Sequence, residues 1–202
     1  MGNISFNPMQ TTGISNGFVS NTKGYVQGVF LDDPAMRYQL EGAQVDASQA
    51  TPLWGGLPIT LKVPAVDSDA GLPSAVGAAS LSAINGWAVF NQASAGIITP
   101  SSPVPLYSSG MSINFVRPGS LLRLVLPVEN TSILDSLAGD APNVALYWDA
   151  TNNCLTTTSA GNIGPLPVSL ENLSAQSKIV NYNSGTGQAT WNFNGPAAVV
   201  RI

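Results

Sequence analysis

Few residues in this sequence could carry out chemistry. It has no histidine and one cysteine, Cys154, with 7 Lys and Arg against 11 Asp and Glu. Histidine switches charge near neutral pH and is the commonest general base and metal ligand, so its absence closes most catalytic routes. Gly13-Ile14-Ser15-Asn16-Gly17 matches Gly-x-Ser-x-Gly. A nucleophile elbow also needs a preceding strand, a following helix and a histidine to take the proton, and the sequence offers none of them. Asp67-Ser68-Asp69-Ala70-Gly71 looks like the opening of a calcium loop, yet the next glutamate is Glu129, too late to close one. Asp32, Asp33, Glu41 and Asp149 are candidates for two-carboxylate hydrolysis, which needs two acids about 5 or 7–9 Å apart. No spacing brings any two of them together, and Asp32-Asp33 before Pro34 reads as a turn. With no C-x-x-C, phosphate-loop lysine or H-E-x-x-H either, the expectation is a chain without catalytic residues, metal or cofactor.

Charge is as scarce as chemistry. Charged residues make up 9% of the 202 residues, against roughly 25% in ordinary soluble domains. The bases Lys23, Arg37, Lys62, Arg117, Arg123, Lys178 and Arg201 are scattered, so no stripe could neutralise several phosphates, and a nucleic-acid partner is not expected. Cys154 alone cannot form an intrachain disulfide. The first residues, Met-Gly-Asn-Ile-Ser-Phe, lack a basic and an apolar region and do not read as a signal peptide. Without one, the sequons at Asn3, Asn130 and Asn172 read as chance matches. No apolar run approaches 18 residues, so no membrane span is expected.

The elements that would position any site are short and β-like. Residues 1–23 carry Phe6, Met9, Ile14 and Phe18 without a period and read as an arm. Strands are expected at 25–31, 36–40, 59–63, 87–91 and 97–99, with a long loop at 67–83 and extended coil at 100–105. Met111, Ile113 and Phe115 alternate with Ser112 and Asn114, and Leu122, Leu124 and Leu126 follow the Pro118-Gly119 turn; together they predict an antiparallel hairpin. Residues 130–139 are the one good helix candidate, capped by Asn130 or Thr131 and ended by Gly139. Further strands are expected at 144–149, 154–157, 179–183, 189–193 and 198–202, with a hairpin tip at 184–187. The fold class is therefore all-β: a β-sandwich, jelly roll or distorted antiparallel barrel with one short helix. The domain reading is an arm over 1–23 and one β-rich domain over 24–202, in which 151–202 could be a small C-terminal lobe. Trp54, Trp87, Trp148 and Trp191 lie in strand-like segments, where core packing is the first expectation and a sugar platform the second.

Residues 25–38, YVQGVFLDDPAMRY, with Leu53-Trp54-Gly55-Gly56, resemble structural proteins of tailed phages. Residues 101–106, SSPVPL, 109–115, SGMSINF, and 144–149, VALYWD, extend the likeness. The family it resembles is the capsid cement, or head decoration, proteins, over about residues 24–150 together with the terminal strand 198–202. The resemblance implies a β-rich virion protein, made in the host cytoplasm and present in several copies on the capsid exterior. Its implied partners are the major capsid protein and itself, as a dimer or trimer, and it brings no catalytic residues. Aromatic, Met and Arg side chains are the expected anchors of such a surface. The candidates are Phe6, Met9, Ile14, Phe18, Arg37 and Trp54. The competing expectation is a carbohydrate-binding head or tail-fibre module, which exposed coplanar aromatics would favour; converging carboxylates in a deep pocket would favour a hydrolase.

Overall fold

The computed structural model describes residues 24–32, 39–64, 71–90 and 104–202. Among the described residues, ten strands and one short α-helix make an all-β fold. In chain order the strands are β1 (Glu41–Val45), β2 (Pro58–Lys62), β3 (Ser74–Gly77), β4 (Gly86–Val89), β5 (Ser112–Val116) and β6 (Arg123–Pro127). The helix α1 (Thr131–Leu137) follows, then β7 (Tyr147–Asp149), β8 (Cys154–Thr156), β9 (Ser169–Asn183) and β10 (Gln188–Arg201).

Strands β1–β5 close into a barrel in the order β1-β3-β2-β4-β5, with β5 returning to β1. Of the barrel's described strand pairs, β1–β3 is parallel and the others antiparallel. The alternating residues of β5 put Ile113 and Phe115 inside, both almost fully buried, while Ser112 stays exposed. Closure removes the edges that would otherwise recruit other strands. A second sheet runs β6-β10-β9, and β7-β8 form a small hairpin beside it.

Residues 24–32 tie the two sheets together. They are not the continuous strand expected for 25–31. Val26 bridges to Lys178 on β9, and Phe30 bridges to Leu124 on β6. Between them the chain turns at Gly28, in left-handed backbone at φ 72°, and meets Gly55 so closely that a Cβ on Gly28 would strike the Gly55 backbone. Only glycine meets both demands at no cost.

The expected hairpin over 111–126 does not form. Ile113, Phe115, Leu122, Leu124 and Leu126 are buried as expected, although Val116 and Val125 on the alternate positions are buried too; but β5 pairs with β1 and β4, whereas β6 pairs with β10. After the turn at Gly119, Leu121 donates its N–H to the Ile202 carbonyl at 2.7 Å, and the Ile202 N–H returns to Leu122 at 3.0 Å. Period-2 burial fixes which face is inward but not which strand lies alongside. The loop expected over 67–83 contains β3, a strand of small residues with weak propensity that the barrel recruits as a pairing partner. The expected strand 97–99 and most of 36–40 lie outside the described residues.

The other expectations hold more closely. Asn130 caps α1, accepting the Ile133 N–H at 3.0 Å; Leu134 and Leu137 are buried, and Gly139 follows at φ 92°. The tip at 184–187 joins β9 to β10, although these strands are 15 and 14 residues long, far longer than the pattern indicated. One core cluster spans the barrel, α1 and the C-terminal residues: Leu155, Leu166, Ala198 and Val200 pack in the same cluster as Ile59, Trp87 and Phe115. Trp87 of the barrel meets Trp148 of β7 edge-on, centroids 5.5 Å apart, an arrangement worth about 0.5–1.5 kcal/mol beyond its buried area.

Candidate functional site

The described cations are turned toward their own chain. Lys23 and Arg37 lie outside the described residues; the other five of the seven cations each have an intrachain partner. Arg117 grips Glu41 through two hydrogen bonds of 2.6 and 2.8 Å, and the donated bonds hold the Glu41 carboxyl below its usual range. Arg123 and Arg201 sit directly opposite one another on β6 and β10, where like charges would repel. Asp32 takes the Arg123 Nε–H at 2.9 Å, and Glu171 takes the Arg201 Nε–H at 2.6 Å while lying 3.9 Å from Arg123. Lys62 pairs loosely with Asp46 at 3.9 Å. Exposed pairs of this kind contribute only about 0–1 kcal/mol each. Their larger effect is to leave the surface without a ready cation for an anionic ligand among the described residues.

The fifth cation is sealed beneath aromatic rings. Lys178 on β9 is 4% exposed, and its Nζ lies 4.3 Å from the Trp191 ring centroid and 5.4 Å from that of Phe193. Trp191 in turn meets the Phe90 ring at 5.6 Å. Trp191 and Phe193 share one face of β10 because they are two residues apart. The register from the hairpin tip sets Lys178 beside them, just where β10 slips register between Asn192 and Gly195. Backbone bonds fix the lysine's position: its N–H donates to the Tyr25 carbonyl at 2.8 Å and its carbonyl accepts from Gln27 at 2.9 Å. Burial pushes the ammonium pKa down to about 8. Above it Phe193 remains 40% exposed, an apolar ring on a strand of Asn, Thr and Gln. This aromatic patch is the candidate contact site.

The residues singled out from the sequence fare differently. Phe6, Met9, Ile14, Phe18 and Arg37 lie outside the described residues. Trp54 is corrected as an anchor: it is buried, with its ring 5.0 Å from Tyr182, so its side chain packs the fold and is not presented to a partner. Trp87 and Trp148 are core residues as well. The acids are dispersed. Asp32 and Glu41 are held by separate arginines; burial disfavours the charged form of Asp149, but donors from Asn152 and Thr151 outweigh this and lower its pKa. Asp33 lies outside the described residues. Cys154 is buried and its thiol is pushed up to about 12, so it is protonated at neutral pH and a poor nucleophile. Among the described residues no three Asp, Glu or Cys side chains gather to hold a metal.

The sequence reading placed Trp191 and Phe193 on one face but missed Lys178. The signal was available: pairing outward from the tip at 184–187 puts Lys178 opposite that pair, had the strands been drawn long enough. Compared with protein-family models, with characterised proteins and with solved structures, the chain finds no match.

Proposed function

We propose that this chain is a non-catalytic structural protein of a tailed phage, a capsid cement protein. It binds the outer surface of the assembled major capsid protein shell as a small homo-oligomer and reinforces it. The observation that carries this reading is the neutral hairpin surface: all five described cations are engaged within the chain, and the long β9–β10 hairpin exposes Asn183, Thr186, Gln188 and Asn192 on its polar positions and Phe193 on the other face. A surface of amides and hydroxyls loses little on desolvation, because no ion is stripped of water without compensation. The closed barrel and paired sheet offer that surface pre-organised, which lowers the entropy cost of docking. Many copies on one lattice then add their contacts by multivalency. The resemblance of residues 25–38, 53–56, 101–106, 109–115 and 144–149 to cement proteins supports that lineage.

The test is co-sedimentation with expanded shells of the major capsid protein from the same source. Saturable binding at a fixed copy number per shell is expected. Absence of binding to expanded shells that are otherwise intact would overturn the reading.

A further inference from the structure

We infer that the chain carries a binding cleft for a neutral oligosaccharide, separate from the face proposed to meet the shell. Four stretches distant in sequence wall a cleft of about 540 Å³: residues 49–58 leading into β2, 77–78 at the end of β3, the β7–β8 turn at 148–153, and the hairpin at 180–184. Its size falls among those of ordinary small-ligand sites. Among the described residues, no Asp, Glu, Lys or Arg lines it. A phosphate or carboxylate ligand would find no cation there, and an amine or metal ion would find no carboxylate. The chemistry left is hydrogen bonding to neutral groups, together with apolar contact.

Both are present. Tyr182 lies against Trp54 with centroids 5.0 Å apart and makes an aromatic wall. The side chains of Thr51, Asn153, Asn181 and Ser184 line the same cleft and make no hydrogen bond to another described residue. Amides and hydroxyls with unused donors and acceptors, beside an aromatic surface, match a pyranose ring, which has an apolar C–H face and a rim of hydroxyls. Asn153 is held in the left-handed region at φ 56°, a conformation that costs free energy for most residues and is tolerated best by Gly, Asn and Asp. The β7–β8 turn thereby sets an amide at the cleft wall.

The test uses the purified full chain, free of shells, so that it succeeds or fails independently of capsid binding. Maltotetraose, cellotetraose and laminaritetraose are titrated while amide resonances are followed by NMR. At least one should bind with a dissociation constant below about 1 mM, shifting residues 150–153 and 180–184. Asn181→Ala, at an exposed position, and Asn153→Gly, which relieves the left-handed backbone, should each weaken binding at least tenfold, about 1.4 kcal/mol. Asn192→Ala, outside the cleft, should leave affinity unchanged. Binding by none of the three sugars, or binding that survives both cleft variants, would overturn the proposal.

Discussion

The side-chain carbonyl of Gln27 accepts the backbone N–H of Val180 at 2.8 Å, although the two residues are 153 positions apart. The same side chain donates its Nε2–H to the Gly55 carbonyl at 3.1 Å and is 1% exposed. One amide thus joins the barrel's 53–56 turn to the long hairpin, satisfying two backbone groups that no ladder reaches. Gln27→Leu preserves the approximate volume and removes both partners. It should cost about 2–6 kcal/mol, since each of the two buried groups left unpaired costs about 1–3 kcal/mol. Urea denaturation measures it, and a loss below about 1 kcal/mol, within the range of ordinary surface changes, would show that water replaces the amide.

Lys178 should make stability depend on pH. Its folded pKa is lowered to about 8, below the unfolded value of 10.5, so between these values the unfolded chain holds a proton that the folded chain has lost. Stability therefore rises as pH climbs from about 8 to 10.5, and the burden of burying the ammonium is present in full below 8. The expected rise is on the order of 1–3 kcal/mol, since the ring faces offset part of the desolvation. Lys178→Met should flatten this slope and leave stability at pH 7 equal or higher. Chemical denaturation at pH 7, 8, 9 and 10 checks both; a wild-type slope retained in the variant would assign it to another group.

Phe193 should matter to a partner more than to the fold. Phe193→Ser alters a ring that is 40% exposed, so stability should change by less than about 1 kcal/mol. Affinity for expanded shells should fall at least tenfold. Unchanged shell binding would move the contact face away from the aromatic patch.

The arm offers a fourth test. Residues 24–32 are fixed by backbone bonds to β9 and β6, so a deletion of residues 2–20 leaves those ties intact. The melting temperature should stay nearly constant, while oligomerisation or shell binding weakens at least tenfold, about 1.4 kcal/mol. A truncated chain that cannot fold would place the arm's apolar residues in the core.

The sequence by itself determined the local features. Alternation fixed Ile113, Phe115, Leu122, Leu124 and Leu126 as buried, Asn130 and Gly139 bounded the helix, and the tip at 184–187 was set by its turn residues. These follow from side-chain period, capping and backbone freedom, which act within a few residues. The scarcity of charge was likewise plain from composition. The tertiary structure alone decided strand partnership, because the same inward face suits any neighbour that completes the core. It took β5 into the barrel and β6 to β10, drew Ser74–Gly77 from an expected loop into the barrel, and turned Trp54 from a surface candidate into a packed ring. It also assembled the lysine beneath Trp191 and Phe193, and the cleft walled by four separate stretches. Both depend on long-range pairing, whose entropy cost is met only when the whole core forms at once.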